Sequence, residues 1–170
     1  MSSPVVRADG TVGTLTVANR EFACVLGKGG VVSAHAKREG DGATPAGTWK
    51  LRAGFWRADR LAKPGGPLDF QPIAPDMYWD DDPASPYYNT LRRGAPPGHP
   101  ERLHREDRVY DVVVPLGFND DPVVPGRGSA IFLHMTKPAR TPTAGCVALD
   151  PDDLLELLAL LPTAPTLTVA

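Results

Sequence analysis

The sequence predicts a mainly β domain with one helix packed near its C-terminus and long irregular loops, and three observations lead there. Short runs of β-branched and aromatic residues recur between turn signals. Gly (17) and Pro (19) are both abundant in a chain of 170 residues, with no repeating period, which marks many turns between short elements. Only the stretch after Asp150 carries a clear helical periodicity.

Val5 and Val6 precede Asp9-Gly10, and Leu15 and Val17 follow with alternation, so a hairpin turning at Asp9-Gly10 is expected. Glu21 to Leu26 gives a third strand, ended by Gly27 and the Gly29-Gly30 pair. A Gly/Pro loop, Glu39 to Gly47, leads into a further strand from Trp49 to Phe55, and such a non-repeating loop is a candidate functional surface. Residues 57 to 105 contain nine prolines between 64 and 100 and are expected to be irregular. Within them Tyr78, Trp79, Tyr87 and Tyr88 lie beside Asp80, Asp81 and Asp82, a grouping suited to an amine-bearing ligand or to an aromatic plug anchoring the loop. Val112 to Val114 and Ala130 to Leu133 read as buried strands, and Val147 to Leu149 as a short one. Asp150 is a natural N-cap, Pro151 suits the first helical position, and Asp152 and Asp153 suit the positive end of the dipole. Leu154, Leu157, Leu158 and Leu161 share one face, Pro162 stops the run, and Thr166 to Val169 forms a closing strand.

Length and composition fit a single domain spanning residues 1–170 with a core able to fold unaided. A net charge of −2 and a pI near 6.1 give no footprint for nucleic acid, and Arg102, Arg105 and Arg108 are interleaved with Glu101, Glu106 and Asp107. No stretch approaches the roughly 20 apolar residues of a membrane span. The segment MSSPVVRADG has neither a basic nor an apolar leader region, so the protein as encoded is expected in the cytoplasm, and in the cell envelope only by another export route. Nothing in the chain fixes an oligomeric state. With Cys24 and Cys146 its only cysteines, a free thiol in a reducing compartment is expected. Cys24 sits between Ala23 and Val25 on a strand and reads as a packing residue, while His35, His99 and His104 lie in polar surroundings.

The chemistry lies in Ile131-Phe132-Leu133-His134 followed by Thr143-Ala144-Gly145-Cys146-Val147. A neighbouring imidazole can take a thiol proton and leave a strong nucleophile for a carbonyl. Glycine before the cysteine allows close backbone approach, and N–H groups there can form an oxyanion hole. Spacing alone equally describes a buried cysteine beside a satisfied histidine. A zinc site is disfavoured, because no CxxC or HxxxH partner completes four ligands.

These residues resemble the core of the L,D-transpeptidase catalytic domain family, also called the YkuD domain. Its pattern is a His, a spacer, then Ser/Thr-His-Gly-Cys and an apolar residue. His134 matches the first His, Thr143 the Ser/Thr, Gly145 the Gly, Cys146 the nucleophile and Val147 the apolar position. The Thr-Pro-x-Gly of residues 44–47, the stretch Asp82 to Asn89, Tyr110-Asp111 and the stretch Gly128 to His134 extend the resemblance, to a divergent branch, over nearly the whole chain. Ala144 stands where many members have a second His, Ala148 and Leu149 replace the usual Asn or Arg, and the His-to-Cys spacer is shorter.

The resemblance implies a β-sandwich-like fold with Cys146 as nucleophile and His134 as base in one cleft, and Gly145 and Thr143 shaping the oxyanion site. The implied partner is a peptidoglycan stem peptide or muropeptide. Cys146 attacks the amide after the L-centre of the stem diamino acid and releases the terminal D-alanine. An amine then resolves the thioester in transpeptidation, or water does in L,D-carboxypeptidation, neither needing a metal or organic cofactor. The substitutions around Cys146 also allow a non-catalytic peptide-binding module. Asp82 and Tyr88 are candidates for the diamino acid side chain, Asn89 for a polar contact, and Arg140 for the terminal carboxylate.

Overall fold

The computed structural model describes residues 2–170. The chain opens with an antiparallel meander of β1 (Val5–Asp9), β2 (Val12–Val17) and β3 (Arg20–Val25). Asp9 pairs with Val12, so the first loop is Gly10-Thr11, one residue later than the Asp9-Gly10 turn the sequence suggested. Gly10, at φ +65°, takes the left-handed position at the head of that loop. The second loop uses Ala18 and Asn19, both left-handed, as a tight two-residue turn demands.

The remaining elements are β4 (Val31–Ser33), β5 (Thr44–Lys50), β6 (Gly54–Trp56), β7 (Phe70–Pro72), β8 (Met77–Trp79), β9 (Leu91–Arg93), β10 (Glu101–Arg102), β11 (Val112–Pro115), β12 (Phe132–Met135), β13 (Val147–Leu149), α1 (Pro151–Ala159) and β14 (Thr166–Val169). Eleven strands form one sheet in the order β4-β5-β14-β1-β2-β3-β13-β12-β11-β6-β7, and β10-β8-β9 form a second, small sheet. The large sheet curls until its halves face each other. Arg52 N–H donates to Pro115 O at 2.9 Å and Gly117 N–H to Lys50 O at 2.7 Å, joining the end of β5 to β11 across the fold. Val6, Leu15, Leu133, Leu149 and Leu167 meet inside with Leu154, Leu157 and Leu158 of α1. The result is the mainly β, sandwich-like architecture expected, with one short helix near the C-terminus.

Three boundaries differ from the sequence expectation. The run Trp49–Phe55 divides into the end of β5 and the start of β6, because Leu51 leaves its neighbours to bridge Leu116 and enter the core. The Thr-Pro loop is shorter than Glu39 to Gly47, since Thr44 already pairs with Val31. β12 runs over Phe132–Met135 rather than Ala130 to Leu133. Ala130 sits at φ +52°, outside the extended region, so the strand starts later and His134 lies within it. The stretch 57 to 105 is also less irregular than its prolines suggest, holding four short strands.

The helix begins at Pro151 as expected, but Asp150 makes no side-chain cap. Its carboxylate instead accepts the Thr136 hydroxyl at 2.9 Å and pairs with Arg140 at 2.5 Å, tying the start of α1 to the segment between β12 and β13.

Candidate active site

β12 is the inner strand of the site. It pairs antiparallel with β11, placing His134 opposite Val113, and parallel with β13, placing His134 opposite Ala148. Alternation along β12 sends Leu133 and Met135 into the core under α1, and Phe132 and His134 to the other face. Cys146 precedes β13 and lies two positions before Ala148, so its side chain emerges on the His134 side. Cys146, His134 and Ala148 all line a cleft of about 390 Å³.

His134 is 6 % exposed and stands edge-on to Tyr110, with ring centroids 5.3 Å apart. Its Nδ1 lies 2.7 Å from Met135 O. A carbonyl only accepts, so Nδ1 carries the proton and Nε2 presents a lone pair. Burial holds the imidazole down at about 4, against the pull of the Met135 bond, so at neutral pH it is an uncharged base.

Cys146 is 7 % exposed. Its Sγ accepts the Phe132 N–H at 3.3 Å and donates to Ala130 O at 3.2 Å. Burial pushes the thiol up to about 12, only partly offset by the Phe132 N–H. The resting pair is therefore neutral thiol and neutral imidazole, not thiolate and imidazolium.

Gly145 has a packing reason to be glycine. At φ +133°, a Cβ there would lie 2.8 Å from Ala43 O and 3.1 Å from Ile131 Cδ1. The Thr-Pro segment thus presses directly on the residue before the cysteine. Thr143 staples the turn: its hydroxyl accepts the Gly145 N–H at 3.1 Å and donates to Cys146 O at 2.8 Å. The Gly145 N–H is thereby occupied, while the Cys146 N–H has no partner in the β12–β13 ladder. Thr143 is itself held by backbone bonds to Leu26 and Lys28, beyond the end of β3. Ala144 also lines the cleft.

The four further residues singled out from sequence lie outside the cleft lining. Asp82 is exposed and accepts the Ala84 N–H at 2.9 Å in its own turn. Tyr88 is buried; its hydroxyl donates to Glu39 Oε2 at 2.5 Å and accepts the Gly128 N–H at 2.9 Å. Asn89 is buried and fully engaged with Trp79, Phe118, Asn119 and Ala130. Arg140 is engaged by Asp150. Cys24 is buried in β3, and burial raises its thiol to about 11. His35 and His99 are exposed and His104 half-buried.

The cleft instead gathers Lys28 and Lys137, which the sequence reading did not single out, with Asp81 and Glu39, which it named only within the aromatic and acidic grouping and the Gly/Pro loop. Among the described residues Asp81 makes no ion pair, and burial together with Glu39 and Glu101 raises its carboxyl to about 6. Glu39 is fixed by Tyr88 and by the Ser129 hydroxyl at 2.8 Å. Lys28 and Lys137 enter from the loops flanking the Gly-Cys turn. The available signal was proximity to recognised segments: Asp81 adjoins Asp82, and Glu39 opens the Thr-Pro loop.

Cys146, just before β13, and His134, within β12, are both buried and open on one cleft of a curled β-sheet. The chain belongs to the L,D-transpeptidase catalytic domain (YkuD) family, whose profile matches residues 5–169. At the level of that family it is a peptidoglycan enzyme of the L,D-transpeptidase type. No curated protein and no solved structure matches the chain. Among the described residues, no helix is long and apolar enough to cross a membrane.

Proposed function

We propose that Cys146 is the nucleophile and His134 the base of an acyl transfer on peptidoglycan stem peptides. The observation that carries this is the register of β12 on β13, which brings the thiol and the bare Nε2 of His134 to one cleft. Sγ attacks the carbonyl between the L-centre of the diamino acid and the terminal D-alanine as Nε2 takes its proton. The Cys146 N–H, unused by the ladder, donates to the developing oxyanion. His134 returns the proton to the leaving amine, D-alanine departs, and a thioester remains. Water then gives L,D-carboxypeptidation and an amine gives transpeptidation. Asp81 and the free oxygen of Glu39 offer acceptors to the amine of the diamino acid, and Lys28 and Lys137 offer cations to carboxylates of the peptide.

The test is a stem tetrapeptide ending in D-alanine, incubated with and without an amine acceptor and followed by mass, with Cys146→Ala alongside. D-alanine release lost in the variant supports the reading, and dependence on acceptor separates transferase from hydrolase. Absence of turnover with both wild-type conditions sinks it and leaves the peptide-binding module.

A further inference from the structure

The resting Cys146 thiol donates to the Ala130 carbonyl. Ala130 holds that carbonyl in place from a left-handed backbone, φ +52°, which costs a residue with a Cβ on the order of 1 kcal/mol or more. Such a conformation persists only when neighbours impose it. The neighbour is Asn89, 41 residues earlier in the chain: its Oδ1 accepts the Ala130 N–H at 3.1 Å. The same oxygen accepts the Trp79 indole N–H at 2.9 Å, and Nδ2 donates to Phe118 O at 3.2 Å and Asn119 O at 2.8 Å. Asn89 is 6 % exposed, its carboxamide orientation is fixed by donors on one atom and acceptors on the other, and it too is left-handed at φ +58°.

We propose that Asn89 is the positioning residue of the thiol, holding Ala130 left-handed so that its carbonyl seats the Cys146 Sγ–H until an acyl donor displaces it. That Cys146 is the reacting atom rests on the function proposed above; the seat does not. His134, Tyr110, Glu101 and Arg105 line the cleft with the thiol, beside Asp81, Glu39, Lys28 and Lys137, and Lys37 acts on it electrostatically from outside that lining. None of them hydrogen-bonds the Asn89 carboxamide; a change there reaches the thiol through Ala130, or through Trp79, which packs edge-on to the Phe132 that donates to Sγ, and adding Ala130→Gly separates the two routes.

Asn89→Gly removes the carboxamide while keeping a residue at ease at positive φ. The assay is the pH dependence of Cys146 alkylation by iodoacetamide, read by mass on the Cys146 peptide, which needs no peptidoglycan substrate. A carbonyl acceptor favours the neutral thiol, so its loss lowers the alkylation midpoint, by about one pH unit for one hydrogen bond. Adding Ala130→Gly, which removes the strain that Asn89 opposes, is expected to return the midpoint towards wild type. An unmoved midpoint in folded Asn89→Gly, or no restoration in the double variant, overturns the proposal. Should Asn89→Gly not fold, Asn89→Asp keeps the acceptor for the Ala130 N–H and is expected not to lower the midpoint; a lowered one there also overturns it.

Discussion

Acidification tests the neutral pair most directly. A free histidine titrates at 6.5, while burial places His134 at about 4. At pH 5.5 an ordinary imidazole is about nine-tenths protonated, but one at about 4 is only about 3 % protonated. The acylation rate at pH 5.5 should therefore stay within about 5 % of its value at pH 7, with the acid limb near pH 4. Stability moves differently. The folded state refuses a proton that the unfolded state accepts below 6.5, so stability is full above 6.5 and declines as pH falls towards 4. The gap of 6.5 − 4 = 2.5 units corresponds to about 3 kcal/mol at about 1.4 kcal/mol per unit. The assay is single-turnover acylation by a carbapenem-type agent from pH 3.5 to 8, with circular dichroism at each point to confirm folding. An acid limb near 6.5 in folded protein would refute the argument that His134 is held neutral by burial.

Four other outcomes are expected. Cys146→Ala should abolish D-alanine release while leaving the melting temperature within a few degrees, since it removes one atom from a 7 % exposed side chain; retained release would remove Cys146 from the chemistry. Asp81→Asn should lower kcat/KM about tenfold for a stem peptide with a free diamino amine and leave an N-acetylated analogue unaffected. Because the Asp81 carboxyl titrates at about 6, that preference should fade as pH drops through 6; equal loss on both peptides would contradict amine recognition. Leu157→Ala, at a fully buried helix position, should cost about 2–5 kcal/mol, or roughly 5–15 °C in melting temperature by thermal unfolding. Tyr88→Phe strips the hydroxyl shared by Glu39 and Gly128 and should cost about 1–3 kcal/mol in urea unfolding, a neutral result meaning that other contacts hold the Glu39 loop.

Much of the fold was legible where the signal is local. The meander, the helix from Pro151 and the strand Thr166–Val169 follow from turn chemistry, capping and periodicity within a few residues. The Gly-Cys turn and the histidine stood out through the family pattern they match, since their spacing alone fits a packed cysteine beside a satisfied histidine just as well. What sequence did not disclose depends on distant partners. Leu51 breaks a continuous-looking strand because Leu116 waits across the fold. Ala130 gives no hint of a left-handed backbone, since alanine is not a residue that favours one; Asn89 imposes it from far away in the chain. Asp82 looked as suitable as Asp81 for a ligand, and only the turn that spends Asp82 on Ala84 separates them. Arg140 looked free for a carboxylate because Asp150 read as a helix cap.

The placement of the site follows from a strand with two buried faces. β12 lies between β11 and β13, with Leu133 and Met135 in one core and Phe132 in a second cluster with Tyr110, Val113 and Cys146. Interior strands of this kind are built of apolar residues, and a histidine among them is tolerated only if uncharged and hydrogen-bonded. Met135 O meets the second condition and burial the first. The packing that brings thiol and imidazole to one cleft thus also dictates their charge. An exposed cysteine–histidine pair can store a thiolate; this one holds a protonated thiol against the Ala130 carbonyl. On the reading proposed here, deprotonation must accompany attack, so the thiol becomes a nucleophile only when a carbonyl carbon is in place to receive it. Reactivity is then governed by what fits the cleft rather than by the ambient fraction of thiolate.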